Sequence, residues 1–181
     1  GELEHDAVQA EQCIQIAIDH GISNLSIDLI FGFTALSMEK WVTNIDKALQ
    51  YPIQHISCYG ITVEPKTALA SMIARKKTTA PDEELSSQQY SYLIKRLQNA
   101  GFEHYEISNF ARKGFRAKHN SSYWQSKPYL GIGPSAHSFR RNTRQWNIAN
   151  NALYIKQIAT GIIPCETETL SLTEQWNEKI M

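Results

Sequence analysis

The residues best suited to chemistry lie between Gly101 and Ser138. His119-Asn120-Ser121-Ser122-Tyr123-Trp124 sets an imidazole four residues before two adjacent rings, and His137 closes a glycine-punctuated run. A neutral imidazole can ligate haem iron. It can equally tie a loop to a backbone carbonyl, and spacing alone favours the tie. No Asp or Glu occurs from Ile107 through Cys165, a span that holds Arg112, Lys113, Arg116, Lys118, Lys127, Arg140, Arg141, Arg144 and Lys156. Half of the chain's 18 Lys and Arg therefore sit where no acid neutralises them, although the net charge is zero. Such a field attracts anions. Phe115, Tyr123, Trp124, Tyr129, Phe139 and Trp146 are interleaved with the cations. That mixture suits a flat anionic ligand or nucleic acid, and a solvated basic face over an aromatic core fits it too.

Asp28 stands among Ser26, Ile27, Leu29 and Ile30, where a buried charge needs a partner. A neighbouring loop or a ligand hydroxyl would serve; taken alone, the structural bond is favoured. Other chemistries have little support. Ser135 and His137 are close, but their turn is not a nucleophile elbow. Gly131-Ile132-Gly133 lacks the strand-to-helix setting of a phosphate loop. Glu103 and Glu106, three apart in a strand, point to opposite faces, which argues against a hydrolytic carboxylate pair. The six histidines show no close metal-ligand spacing. Cys13, Cys58 and Cys165 show no paired spacing, against a zinc site or disulfide framework and for a reducing compartment. No apolar run approaches membrane-spanning length and no signal peptide is read, so a cytoplasmic protein is expected.

These side chains need elements to position them. Asp6 can cap a helix to His20, stopped by Gly21, with Ala7, Ala10, Ile14, Ala17 and Ile18 on one face. Ser37 can cap a second helix through Leu49. A short helix near Thr67–Arg75 follows, then one from Pro81-Asp82-Glu83-Glu84 to Ala100. Strands are expected at Asn24–Ile30, Gln54–Gly60 and His104–Ser108. Alternation of strands and helices predicts three parallel neighbours with the helices on one face, and an edge strand open or paired with a second copy. Ligands of such sheets meet the carboxyl ends of the strands, where Asp28, Thr62, Glu106 and Ser108 are expected. Beyond Phe110 the period changes: a glycine-punctuated loop at Lys127–Ser138, a strand at Arg144–Ile148, a helix capped by Asn150 or Asn151, and another from Thr173. The length suits one domain and part of another, divided as 1–110 and 111–181.

Four segments resemble the oxygen-independent coproporphyrinogen-III-oxidase-like branch of the radical S-adenosylmethionine (SAM) proteins, above all its haem chaperones. They are Ser26-Ile27-Asp28-Leu29-Ile30-Phe31-Gly32, Tyr105-Glu106-Ile107-Ser108-Asn109-Phe110, His119–Trp124, and Tyr129–Ser138. The resemblance implies an α/β fold: part of a triosephosphate-isomerase-like parallel βα barrel, then the start of a family-specific α+β carboxyl-terminal domain. It implies that Asp28 matches the acid touching the SAM ribose, with Thr62 and His137 lining that pocket. It implies that His119, Asn120, Tyr123 and Trp124 form a haem-binding motif; taken with the aromatic density and the acid-free stretch, that makes His119 a candidate axial ligand and Arg112, Lys113, Arg116 or Lys118 the expected partners of the propionates. The expected function is a carrier that binds haem and delivers it to an apoprotein. The alternatives are a radical decarboxylase of coproporphyrinogen and a nucleic-acid-binding module. Two departures stand out. The family's Tyr-Gly-Leu-Pro-Gly-Gln-Thr loop appears as Phe31-Gly32-Phe33-Thr34-Ala35-Leu36-Ser37. The Cys-x-x-x-Cys-x-x-Cys segment that ligates the family's 4Fe–4S cluster is absent, and the resemblance places it before Gly1. The chain therefore reads as a piece of a longer protein that uses SAM and the cluster.

Overall fold

Side-chain caps start the helices where the sequence places them. In the computed structural model, which describes residues 6–180 (backbone only at 179 and 180), Asp6 accepts from the Gln9 N–H and Gln9 returns a bond to the Asp6 backbone, opening α1 (Ala7–Asp19). Ser37, Thr67 and Asp82 likewise cap α2 (Met38–Ala48), α3 (Ala68–Ala74) and α4 (Glu83–Asn99). Beside them stand β1 (Ser26–Phe31), β2 (His55–Gly60), β3 (Glu103–Glu106) and β4 (Asn109–Ala111). The core is one layer of helix on sheet. Ile56, Cys58 and Phe110 from the strands meet Trp41, Ile45, Leu93 and Leu97 from α2 and α4, with Ile27 and Leu29 packed alongside. Each such fully buried side chain contributes about 1.5–3 kcal/mol. α1 differs from expectation: none of its residues is buried. Glu11 tethers it, paired with Lys47 at 2.5 Å and accepting from the Tyr51 hydroxyl at 3.4 Å.

The sheet order is β1-β2-β4-β3. β1 and β2 are parallel in register from Ser26 opposite His55 to Phe31 opposite Gly60. The expected third parallel neighbour is corrected. β3 does not pair with β2; β4 lies between them and is antiparallel to both. The reason is local. Ile107-Ser108 turns the chain back, and Asn109, Phe110 and Ala111 are all buried. Buried backbone groups need partners, and only a strand between two others satisfies both sides.

The chain divides between Ala117 and Lys118, later than the expected boundary after residue 110. Arg112 causes the shift. Its guanidinium donates to the Ile53 and Ala100 carbonyls and lies 4.5 Å over the Phe102 ring. Arg116 pairs with Glu103 at 3.0 Å, so residues 112–117 belong to the first unit. The second unit holds α5 (Lys118–Trp124), β5 (His137–Arg140), β6 (Thr143–Asn147), α6 (Asn151–Ile158), β7 (Cys165–Thr169) and α7 (Leu172–Ile180). Its three strands form an antiparallel sheet in the order β5-β6-β7. Asn150 caps α6 and Ser171 with Glu174 caps α7. β7 falls where no strand was expected: Cys-Glu-Thr-Glu-Thr has no apolar alternation to betray it.

The loop that departs from the family pattern is closed by a residue from elsewhere. Gln89 of α4 is fully buried; it accepts from the Gly32 N–H and donates to the Leu36 carbonyl, both at 2.9 Å. Its own carbonyl accepts from the Trp41 indole at 3.0 Å. Gly32 has φ 79°, and a Cβ there would come within 2.8 Å of the Ser86 hydroxyl, so only glycine suits the turn. Gln89→Leu strands two buried groups, at roughly 1–3 kcal/mol each. The expected result is a lower urea midpoint with an unchanged m-value; a midpoint equal to the parent's would show that the loop is held by other contacts.

A second set of bonds joins three strands to the end of the first unit. His55 Nδ1 lies 2.9 Å from the Ser26 hydroxyl, and its Nε2 lies 2.8 Å from the Tyr105 hydroxyl. That hydroxyl accepts from the Ala117 N–H at 3.2 Å. The His55 ring thus links the Ser26 and Tyr105 hydroxyls through its two nitrogens. Burial lowers its pKa from the ordinary 6.5, against the smaller opposing pull of Asp28 and Glu106. The stabilisation is therefore complete above 6.5 and is lost as pH falls through the depressed value. Unfolding free energy, measured against pH, should decline on that acid side. In His55→Gln, which cannot titrate, this part of the decline should vanish; an identical profile would exclude His55 as its source.

Candidate functional site

The sheet face opposite the helices is polar. Register places Asp28 of β1, Ser57 of β2, Asn109 of β4 and Glu106 of β3 in one row across all four strands. Ser26, His55, Ala111 and Glu103 form the next row. β3 carries a bulge between His104 and Glu106 that leaves Tyr105 unpaired. The bulge overturns the argument from strand periodicity: Glu103 and Glu106 fall on the same face. They still do not form a hydrolytic pair, because Glu103 is held by Arg116 and Glu106 accepts from the Asn109 amide.

Asp28 is exposed and lies mid-strand rather than at a strand end. Among the described residues it makes no hydrogen bond or ion pair, so the favoured structural tie is absent. Asn109 is only 4% exposed, yet its Oδ1 has no partner. A buried acceptor without a donor is costly and uncommon. The row thus offers the exposed Asp28 carboxylate to a ligand that donates, the chemistry of a ribose hydroxyl, while the Asn109 oxygen is shut away from solvent. Thr62 is exposed in the loop just beyond β2. An iron–sulfur cluster does not fit: no group of three His, Cys, Asp or Glu could hold a metal among the described residues. Cys13 and Cys165 stand on α1 and β7, in different units. Burial, with Asp28 nearby, pushes the Cys58 thiol up to about 12, whereas metal ligation needs the thiolate.

The second unit carries the other predicted residues. His119 and Tyr123 share one face of α5, one turn apart. The Tyr123 hydroxyl lies 2.9 Å from His119 Nε2, and the rings meet edge-on at 4.9 Å. The expected tie to a backbone carbonyl is thus a side-chain bond within the motif. Tyr123 meets Tyr129 at 4.8 Å, and Tyr129 lies 6.2 Å from Phe139, its bridge partner. The result is a continuous aromatic run from His119 to Phe139. Trp124 does not fill the core; it is 55% exposed. Asn120 is half-buried and makes no hydrogen bond among the described residues. His137 is exposed at the start of β5, its ring 6.3 Å from Trp146. The glycine run before it is a steric necessity, since a Cβ on Gly131 would stand 2.1 Å from the His137 carbonyl oxygen. The cations expected to meet propionates are partly committed elsewhere: Arg112 and Arg116 secure the first unit.

Among the described residues, no helix is long and apolar enough to cross a membrane. No protein-family profile matches the chain. It is 34% identical over 160 residues to heme chaperone HemW of Mycobacterium tuberculosis, covering 88% of this chain and 41% of that protein. To the heme chaperone HemW of Bacillus subtilis it is 32% identical over 161 residues, covering 88% and 42%. The radical S-adenosyl methionine domain-containing protein 1, mitochondrial, of Mus musculus is 41% identical over 113 residues, 62% of this chain and 26% of that one. The chain thus spans about two fifths of the length of the HemW relatives it matches. The structure of coproporphyrinogen III oxidase (HemN) from Escherichia coli, described as a radical SAM enzyme, shares the fold: TM-score 0.74 over 98% of this chain and 44% of that one, at 16% identity. With the four motifs now seen as one polar sheet face and one aromatic run, the chain belongs to the coproporphyrinogen-III-oxidase-like radical SAM family, on the branch of heme chaperone HemW.

Proposed function

We propose that the chain is part of a haem chaperone that binds haem and transfers it to an apoprotein in the cytoplasm. The observation that carries this reading is the run His119–Tyr123–Tyr129–Phe139, partly exposed, in a segment without acids. Flat rings pack on aromatic faces, and a porphyrin's two propionates suit the cationic surroundings. In this reading the first unit is the carboxyl-terminal half of a radical SAM βα barrel and the second is the family-specific domain. In the longer protein Asp28 accepts from the SAM ribose hydroxyls, with Thr62 in the loop beyond β2 lining the same pocket. Bound SAM and its cluster would supply radical chemistry; this chain's part is to orient the nucleoside.

His119 has two candidate ligating atoms. Nε2 is engaged by Tyr123, so iron takes Nδ1 or displaces the tyrosine hydroxyl. Because the imidazole is exposed, His119→Ala should keep the parent melting temperature while the axial-ligand spectrum of titrated haem is lost. A surviving spectrum would remove His119 as the ligand; earlier melting, with haem affinity following the folded fraction, would make it structural. Haem absorbance without decarboxylation of coproporphyrinogen separates the carrier from an oxidase. Asp28→Ala in the longer protein should weaken SAM binding by about 1.5–3 kcal/mol, the range for a hydrogen bond to a charged group. Unchanged SAM affinity with lower thermal stability would reassign Asp28 to the fold.

A further inference from the structure

The second unit contains a cleft of about 790 Å³ that the His119–Trp124 segment does not line, a size ordinary for small-molecule sites. Tyr129, Leu130 and Phe139 give it an apolar wall, and Arg140 and Arg141 give it charge. Tyr129 and Phe139 are also the far end of the aromatic run from His119. Leu130 is 77% exposed, a large apolar side chain left in water. Neither Arg140 nor Arg141 is ion-paired among the described residues, whereas Arg116 and Arg144 each have an acid. Arg141 also has an unusual backbone. It opens the two-residue turn between β5 and β6 with φ 60°, a position where hairpins default to glycine. An uncommitted arginine held at a strained turn beside an apolar cleft is a feature that function explains better than folding does.

We propose that this cleft binds a flat, apolar dicarboxylate. Arg140 and Arg141 take the carboxylates, and Tyr129, Leu130 and Phe139 take the ring face. The proposal rests on the haem-carrier reading and deepens it: the propionates of the cargo go to Arg140 and Arg141, not to Arg112 or Arg116. Guanidinium groups suit carboxylates because their planar donors bind both oxygens.

The test titrates three probes into the 181-residue chain: haem, iron-free protoporphyrin IX, and protoporphyrin dimethyl ester, which has no free carboxylate. The comparison is the double variant Arg140→Ala with Arg141→Gly. Both positions are exposed and glycine relaxes the turn, so the melting temperature should not fall. The expected result is at least a tenfold loss of affinity for haem and protoporphyrin IX, with the ester unchanged. Equal affinity of parent and variant for protoporphyrin IX overturns the proposal. So does an equal loss for acid and ester, since carboxylates would not be what the arginines read. If haem still binds the double variant fully but loses its spectrum in His119→Ala, the carrier reading stands and the cleft assignment fails. If protoporphyrin IX binds in an arginine-dependent way and haem does not bind, the cleft stands and the carrier reading fails. Binding of neither porphyrin removes both.

Discussion

The first unit depends on the burial of Asn109, Phe110 and Ala111. Three consecutive buried residues present backbone donors and acceptors on both edges, and water cannot reach them. Lying between β2 and β3 is the arrangement that satisfies them. Once β4 is there, Phe110 faces α4 and stacks on His104 at 4.3 Å, while Asn109 and Ala111 face the other way. Asn109 completes the row with Asp28, Ser57 and Glu106. Ala111 leads into Arg112, whose guanidinium closes two loops. The polar face, the bulge at Tyr105 and the extent of the unit all follow from where three residues can be buried.

The second unit is governed by a close approach rather than by a core. Among its described residues, only Asn147, Pro164 and Leu170 are buried, so little apolar area holds the sheet together. Gly131 instead lets two backbone segments touch: its N–H donates to the Ser138 hydroxyl at 3.0 Å, and Tyr129 and Phe139 exchange backbone bonds at 3.0 Å each. That contact aligns Tyr129 with Phe139 and extends the aromatic run beyond α5. Any side chain at position 131 would have to part those segments. Here the fold and the candidate ligand surface share a single constraint.

Much of this was legible in the sequence, and the reasons are specific. Asp6, Ser37 and Asn150 could be named as caps because capping is a local transaction between one side chain and the next turn. β1 and β2 were legible from apolar runs of strand length. β4 was not, because three residues show no period. The bulge that turns Glu106 toward Asn109 leaves no mark in the sequence either, and it reversed a correct rule applied to an irregular strand. Asp28 could be singled out as a lone acid in an apolar strand, but its partners across the row come from segments distant in sequence. The cleft was half visible. Arg140 and Arg141 were plain as unneutralised cations, yet only the bridge between Tyr129 and Phe139 brings the rings beside them.

The β7 strand gives the acid-free stretch a boundary in space. Glu166 and Glu168 stand on β7, and the adjacent arginines stand at the end of β5, with β6 between them. The sheet therefore bears two cations at the β5–β6 turn and two carboxylates on β7, an uneven charge that Arg144 of β6, opposite Glu168, offsets only in part. A charged molecule approaching such a surface experiences a torque as well as an attraction, so it is turned before it touches. Dissolved ions weaken that guidance over about 8–10 Å at ordinary ionic strength, and the rate of encounter would register the loss more than the lifetime of the complex.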